Sequence, residues 1–223
     1  MATINLEPIK TVLFETRHPS RVRLRDTLER TAGFFLLALS APVTLVSALV
    51  SAALSGRSPF VVHLRVGKDH QPFWMWKIRT MWDRRVSTPR RWEWIEYVVA
   101  EPVEDGKPVN DPRVTSRFAA FCRRHSIDEL PQLWNIVRGD MALVGPRPLT
   151  RSEVDRHYGE QSLELLSVRP GLTGLWQVSG RSNIRFPQRA ALDLELVRKL
   201  TPALYSKILL RTMFALVSGQ GAW

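Results

Sequence analysis

Asp128 and Glu129 stand side by side in the segment SIDELPQLW. Adjacent carboxylates on a turn or helix do not face each other, so the two can do different work. One can attack an electrophile while the other holds a metal or a proton. Such a pair alone is an ordinary solvated helix start. Its surroundings point elsewhere. Arg123, Arg124, Arg138 and Arg147 share the same stretch, with Gly139 and Gly145 in the turns between them. That density of guanidinium groups suits a diphosphate. Arg147 is held between Pro146 and Pro148, so a stiff turn presents it at little entropic cost. Arg169, before Pro170 and Gly171, follows the same logic. Gln177 and Arg181 lie on or beside a glycine-rich segment that lets a ligand come close.

Other chemistries are excluded by what is missing. The five histidines (18, 63, 70, 125, 157) have no metal-binding spacing. There is no GxGxxG, no GxxxxGK[ST] and no GxSxG, which argues against a dinucleotide fold, a P-loop and an α/β hydrolase. A single cysteine, Cys122, excludes an internal disulfide.

The elements that must carry these residues can be read around them. Pro131 is harmless only in the first turn of a helix, so a helix is expected to begin within a residue or two of Asp128. Ser126 and Glu129 have capping-box spacing, and Asp128 would sit at the positive end of the helix dipole. Thr150 and Glu153 mark another helix start. The segments 59–64 and 74–81 read as strands, and 92–100 as strand or helix. Residues 84–91 form a basic loop and 101–112 a Pro- and Gly-rich one. The segment 116–124 is helical in character, 167–181 reads as strand, turn and strand, and helices close the chain at 187–200 and 202–217. The last of these either packs inward or lies on a membrane. The clustered Trp74, Trp76, Trp82, Trp92 and Trp94 suit a membrane interface or a core equally.

The chain has 223 residues and a formal charge of +11, which requires an anionic partner: nucleic acid, anionic membrane or a phosphorylated substrate. Residues 31–56 carry no charge. At ~1.5 Å per residue they make roughly 39 Å of helix, enough for a hydrocarbon core. Pro42 sits near the middle, with Ser40 close enough to satisfy a freed backbone group. A kinked single pass and a re-entrant hairpin both fit. Arg21, Arg23, Arg25 and Arg30 on one flank, and Arg57, Arg65 and Lys68 on the other, favour neither end and are consistent with both on the cytoplasmic face.

Several blocks together resemble the bacterial sugar transferases of the small monotopic phosphoglycosyl transferase family. They are KIRTM at 77–81, DPRVT at 111–115, RRHSIDELPQLWNIVRGDMALVGPRP at 123–148, SVRPGLTGLWQVSGR at 167–181 and the closing GAW. The resemblance implies an α+β, mostly helical fold: a tail (1–24), a re-entrant proline-broken membrane helix (25–56) and a compact cytoplasmic catalytic domain (57–223) with a small β-hairpin or sheet and amphipathic interfacial helices. It implies transfer of a sugar 1-phosphate from a UDP-sugar to polyprenyl (undecaprenyl) phosphate through a covalent aspartyl intermediate, with UMP released. Asp128 would be the nucleophile and Glu129 the ligand of Mg2+, with Asp128 nearby. Arg123 would hold the polyprenyl phosphate, and Pro146, Arg147 and Pro148 the nucleotide. Lys77, Arg79, Arg169, Gln177 and Arg181 complete the expected substrate contacts. The implied setting is the bacterial inner membrane, on anionic lipid, starting surface-polysaccharide assembly ahead of downstream glycosyltransferases. A homodimer is an open option and nucleic acid is not an expected partner. The alternative is a basic, membrane-anchored binding protein without catalysis. In this chain Ala41 rather than Ser precedes the kink proline, and Glu29 stands where an Asp is common.

Overall fold

A computed structural model describes residues 24–82, 94–99, 113–180 and 184–218. Helix α1 spans Leu24–Ser55, about 48 Å at 1.5 Å per residue. It is long and apolar enough to cross a membrane by length and composition. The expected break at Pro42 is not a break in secondary structure, because the helix continues through it. Proline leaves the Ala38 carbonyl without its usual donor. Hydroxyls bond on either side of that gap: Ser40 Oγ donates to the Leu37 carbonyl at 3.3 Å and Thr44 Oγ1 to the Ser40 carbonyl at 2.9 Å.

One face of α1 is turned inward along its whole length. Glu29, Gly33, Ser47, Ala48, Ser51 and Ala52 are buried, with half-buried Leu37, Ser40 and Thr44 between them. These positions recur every three or four residues, the period of one helix face. Small residues let the backbone approach closely. A Cβ on Gly33 would stand 2.9 Å from Ile136 Cγ2. The opposite face exposes Phe34, Phe35, Leu36, Leu39, Val43, Leu45, Val46 and Leu49.

After α1 come β1 (Phe60–Val66), β2 (Pro72–Ile78) and β3 (Ile95–Val98). Their sheet order is β2-β1-β3. β1 and β2 form an antiparallel hairpin with Val62 opposite Trp76, and β3 pairs parallel to β1. The short helices α2 (Arg117–Arg124) and α3 (Gln132–Arg138) follow. Asn135 of α3 completes the open edge of β2: its amide donates to the Trp74 carbonyl at 2.7 Å and its oxygen accepts from the Trp76 N–H at 3.2 Å. The far end of α3 is tied to α1, where Arg30 Nη2 donates to the Arg138 carbonyl at 3.1 Å. Gly139, at φ +81°, makes room for that guanidinium.

β4 (Ala142–Val144) pairs parallel with β5 (Gly171–Thr173). Between them run α4 (Arg151–His157) and α5 (Ser162–Leu165). Thr150 and Glu153 form the expected capping box on α4. The expected strand after Gly174 is instead a helix, α6 (Leu175–Ser179). Gly174 turns the chain into it with extended backbone, so the glycine-rich segment is half strand and half helix. Helices α7 (Phe186–Lys199) and α8 (Pro202–Ser218) close the described chain. α8 packs inward through Ile208, which is buried, while Leu210, Met213, Phe214 and Val217 face outward.

The core has three parts. Leu149, Val154, Leu165 and Phe186 pack α4 and α5 against α7. Phe73, Met75, Leu133, Ile136 and Met141 join β2 to α3, with Leu37 of α1 against them. Val144, Leu196 and Ile208 join β4 to the closing helices. Trp74 and Trp82 belong to the interior, whereas Trp94 is exposed. The loops expected at 84–91 and 101–112, with Trp92, fall outside the described residues.

Candidate active site

The carboxylate pair is built differently from the expectation. Asp128 and Glu129 lie in a separate 3-10 turn, Ile127–Glu129, and α3 starts only at Gln132 with Pro131 as its N-cap residue. The capping box at Ser126 does not form, because Ser126 is left-handed (φ 53°) and makes no side-chain cap. Pro131 does mark the first turn of a helix, as its chemistry demands, but that helix begins after the pair.

The turn sends its two carboxylates apart. Asp128 is buried, and Thr80 Oγ1 approaches its Oδ2 at 3.5 Å. Glu129 meets Lys77 Nζ at 2.9 Å. Beneath the turn, burial and the charge of Asp128 push the Cys122 thiol up to about 11, against a hydrogen bond with Ser47 that lowers it. Cys122 therefore stays a neutral thiol and offers no competing nucleophile.

Beside the turn lies a shallow, open cleft. Lys77, Glu129 and Gln132 line one wall, and Arg147, Pro148, Leu172 and Gln177 the other. Residues far apart in the chain thus meet at this cleft. The walls are joined where the Gly145 and Gly171 turns cross. A Cβ on Gly171 would stand 2.1 Å from the Gly145 nitrogen, and Gly171 N–H donates to the Pro146 carbonyl at 2.8 Å.

Other expected contacts are placed elsewhere. Arg169 does not line this cleft; its Nη2 bonds Asp26 Oδ1 and Glu29 Oε2, both at 2.8 Å, so it docks α1. Arg79 bonds the Ser58 carbonyl at 2.7 Å and Glu96 at 2.6 Å, bracing β2 against the chain before β1 and against β3. Arg123 ends α2 on the approach to the Asp128 turn, and its Nε is buried without a partner among the described residues. Arg181 and GAW at 221–223 lie outside the described residues.

The sequence reading missed what holds the 146–148 turn. Asp193 of α7, 1% exposed, accepts from the Arg147 backbone N–H and from the Tyr158 hydroxyl, each at 3.3 Å. Burial raises the Asp193 carboxyl to about 7, against the hydrogen bonds and nearby arginines. The same burial, with the Asp193 charge, raises the Tyr158 phenol, so it remains a donor. Trp176 of α6 lies under two cations, with Arg147 Cζ 5.5 Å and Arg189 Cζ 5.0 Å from its ring centroid. One signal was available. Asp193 stands among Ala190, Leu194 and Leu196, the apolar side of an otherwise ordinary helix, where an acid needs a reason.

The description of the bacterial sugar transferases matches residues 20–219. The chain belongs to that family. It is 36% identical over 213 residues to the UDP-galactose-lipid carrier transferase of Erwinia amylovora, covering 93% of this chain and 43% of that protein. It is 36% identical over 201 residues to the exopolysaccharide production protein ExoY of Rhizobium meliloti, covering 86% and 84% respectively. It is 35% identical over 212 residues to the UDP-glucose:undecaprenyl-phosphate glucose-1-phosphate transferase of Caulobacter vibrioides, covering 89% and 72%. The chain thus spans less than half the length of the Erwinia relative and most of ExoY.

Proposed function

We propose that this protein transfers a sugar 1-phosphate from a UDP-sugar to undecaprenyl phosphate, as the first step of surface-polysaccharide synthesis. The observation that carries the reading is the Asp128–Glu129 turn standing beside a cleft walled by Lys77, Arg147 and Gln177. The names of the Erwinia and Caulobacter relatives agree with it. A basic binding protein without catalysis would have no use for this arrangement.

In the first half-reaction Asp128 Oδ attacks the sugar-bearing phosphorus. The bond from that phosphorus to the bridging oxygen breaks, and its electron pair leaves with UMP. In the second, an oxygen of polyprenyl phosphate attacks the same phosphorus and the bond to Asp128 breaks, restoring the carboxylate. A carboxylate meeting a diphosphate needs cations around it. Lys77 and Arg147 supply charge at the cleft, and Arg123 is assigned to the polyprenyl phosphate.

Magnesium suits this donor set. Among the described residues no group of three or more metal-ligating side chains occurs. Mg2+ commonly needs only one or two carboxylates plus substrate phosphates and water. Glu129, with Asp128 nearby, would hold it, and Lys77 at 2.9 Å marks where positive charge is already accepted. When bound, the ion would neutralise phosphate charge. The chain's own residues position the phosphorus and present the nucleophile.

The enzyme is assigned to the cytoplasmic face of the inner membrane, as a monotopic protein with α1 re-entrant. What supports this is the inward stripe of α1. Gly33 packs on Ile136 near one end, and Ser51 Oγ donates to the Arg79 carbonyl near the other. A helix held at both ends by one domain cannot cross the bilayer while that domain stays on one side. The test of the chemistry is intact-mass analysis after mixing with a panel of UDP-sugars and Mg2+. A sugar-phosphate adduct on wild type that disappears in Asp128→Asn is expected. An undiminished adduct in that variant would remove Asp128 as nucleophile.

A further inference from the structure

Among the described residues, three side chains close to the cleft have donors without acceptors. Arg189 bonds among them through its Nε, which donates to the Ile184 carbonyl at 2.6 Å. The Arg147 guanidinium makes no hydrogen bond among the described residues; its bond to Asp193 is through the backbone N–H. The Trp176 indole N–H is buried without a partner among them. A buried donor left unmet is costly, and two guanidinium groups over one ring repel each other. The nearby acids are already engaged. Asp193 is occupied by Arg147 N–H and Tyr158, and Glu153 by Thr150 and Arg65. What would satisfy this set is an anion with several acceptor oxygens.

We infer that Arg147, Arg189 and Trp176 form the subsite for the phosphate of the departing nucleotide. This rests on the UDP-sugar reading above and adds Arg189 and Trp176 as binding residues. When the bridging bond breaks, that phosphate changes from a diester carrying one negative charge to a monoester carrying two. A two-guanidinium site therefore grips the product side of the step more strongly than the substrate side, which favours bond breaking. Trp176 serves as the platform. Its ring holds both cations by their π contact, and Asp193 fixes the backbone from which Arg147 projects.

The lipid acceptor is also a phosphate monoester, so the test separates the two. The full chain in detergent is titrated with UMP, uridine and farnesyl phosphate. Wild type should bind UMP more tightly than uridine. Arg189→Gln should weaken UMP about tenfold, the scale of one charge-assisted hydrogen bond, and leave uridine and farnesyl phosphate unchanged. Arg189→Lys should fall between, and it serves if the glutamine variant does not fold. Trp176→Phe keeps the ring and removes the N–H, and should weaken UMP by a smaller factor. Unchanged UMP binding in both Arg189 variants overturns the subsite, as does a loss confined to farnesyl phosphate. A wild type that neither binds UMP nor releases it from any UDP-sugar overturns the function itself, a different and separable result.

Discussion

Glu29 offers a quantitative test of how α1 is docked. The residue is 4% exposed. Its Oε1 accepts from Arg25 Nε at 3.0 Å and from the Tyr205 hydroxyl at 2.9 Å, and its Oε2 from Arg169 Nη2 at 2.8 Å. Arg25 is half exposed, so its share is small. Arg169 is 13% exposed, and a charge-assisted bond of that kind is worth about 1.5–3 kcal/mol. In Glu29→Gln, Asp26 still holds Arg169 at 2.8 Å, and the amide oxygen can still receive Tyr205. The expected cost is therefore about 2 kcal/mol. Glu29→Leu strands the Tyr205 hydroxyl as well and should cost about 3–5 kcal/mol. For a chain of this length 2 kcal/mol corresponds to a fall in Tm of about 4–8 °C, read by thermal unfolding in detergent micelles. A double-mutant cycle of Glu29→Leu with Tyr205→Phe should return a coupling of about 1 kcal/mol. A Glu29→Gln protein that melts with wild type, or strict additivity in the cycle, would refute the docking argument.

Four further outcomes are expected. Glu129→Gln should lower turnover and shift its dependence on Mg2+ concentration; an identical magnesium titration would count against its assignment. Gly171→Ala places a Cβ 2.1 Å from the Gly145 nitrogen, so it should cost at least about 1–3 kcal/mol by overpacking, visible as a lowered melting temperature. Asp193, ordinarily near 3.8, titrates near 7 in the fold. The folded protein then binds the extra proton between about pH 4 and pH 7, so this group's contribution to stability falls as pH rises through that window. Asp193→Asn should flatten the slope, checked by denaturant unfolding at several pH values. Finally, in a Cys122→Ser background, Thr27→Cys and Lys68→Cys should react with an impermeant maleimide from the same side of oriented membranes. Labelling from opposite sides would mean that α1 crosses.

Two helix starts around the carboxylate turn were legible because their residues announce their own constraints. Pro131 had to sit at a helix start, and Thr150 with Glu153 had to cap one. Local chemistry could not say that a 3-10 turn precedes α3, because that depends on Ser126 adopting a left-handed backbone within the tertiary packing. The helix after Gly174 was misread because glycines at 171, 174 and 180 look like punctuation for strands. The helix instead turns Trp176 inward, beneath Arg147 and Arg189, a packing that glycine spacing cannot foretell. Arg169 illustrates a different limit. An arginine before Pro-Gly looks like a phosphate ligand, and only the fold brings it to carboxylates more than a hundred residues away.

The crossing of the Gly145 and Gly171 turns has a mechanical consequence. Arg169 is gripped by α1, Pro170 and Gly171 follow it directly, and Gly171 is locked to the 145–146 backbone that carries Arg147. With no room for even a methyl group at the crossing, this linkage has no slack. A shift or tilt of α1 must be borne by the cleft wall that carries Arg147. Whatever surface α1 rests on thereby becomes a variable of the cleft's shape, because the helix and that wall move as one lever.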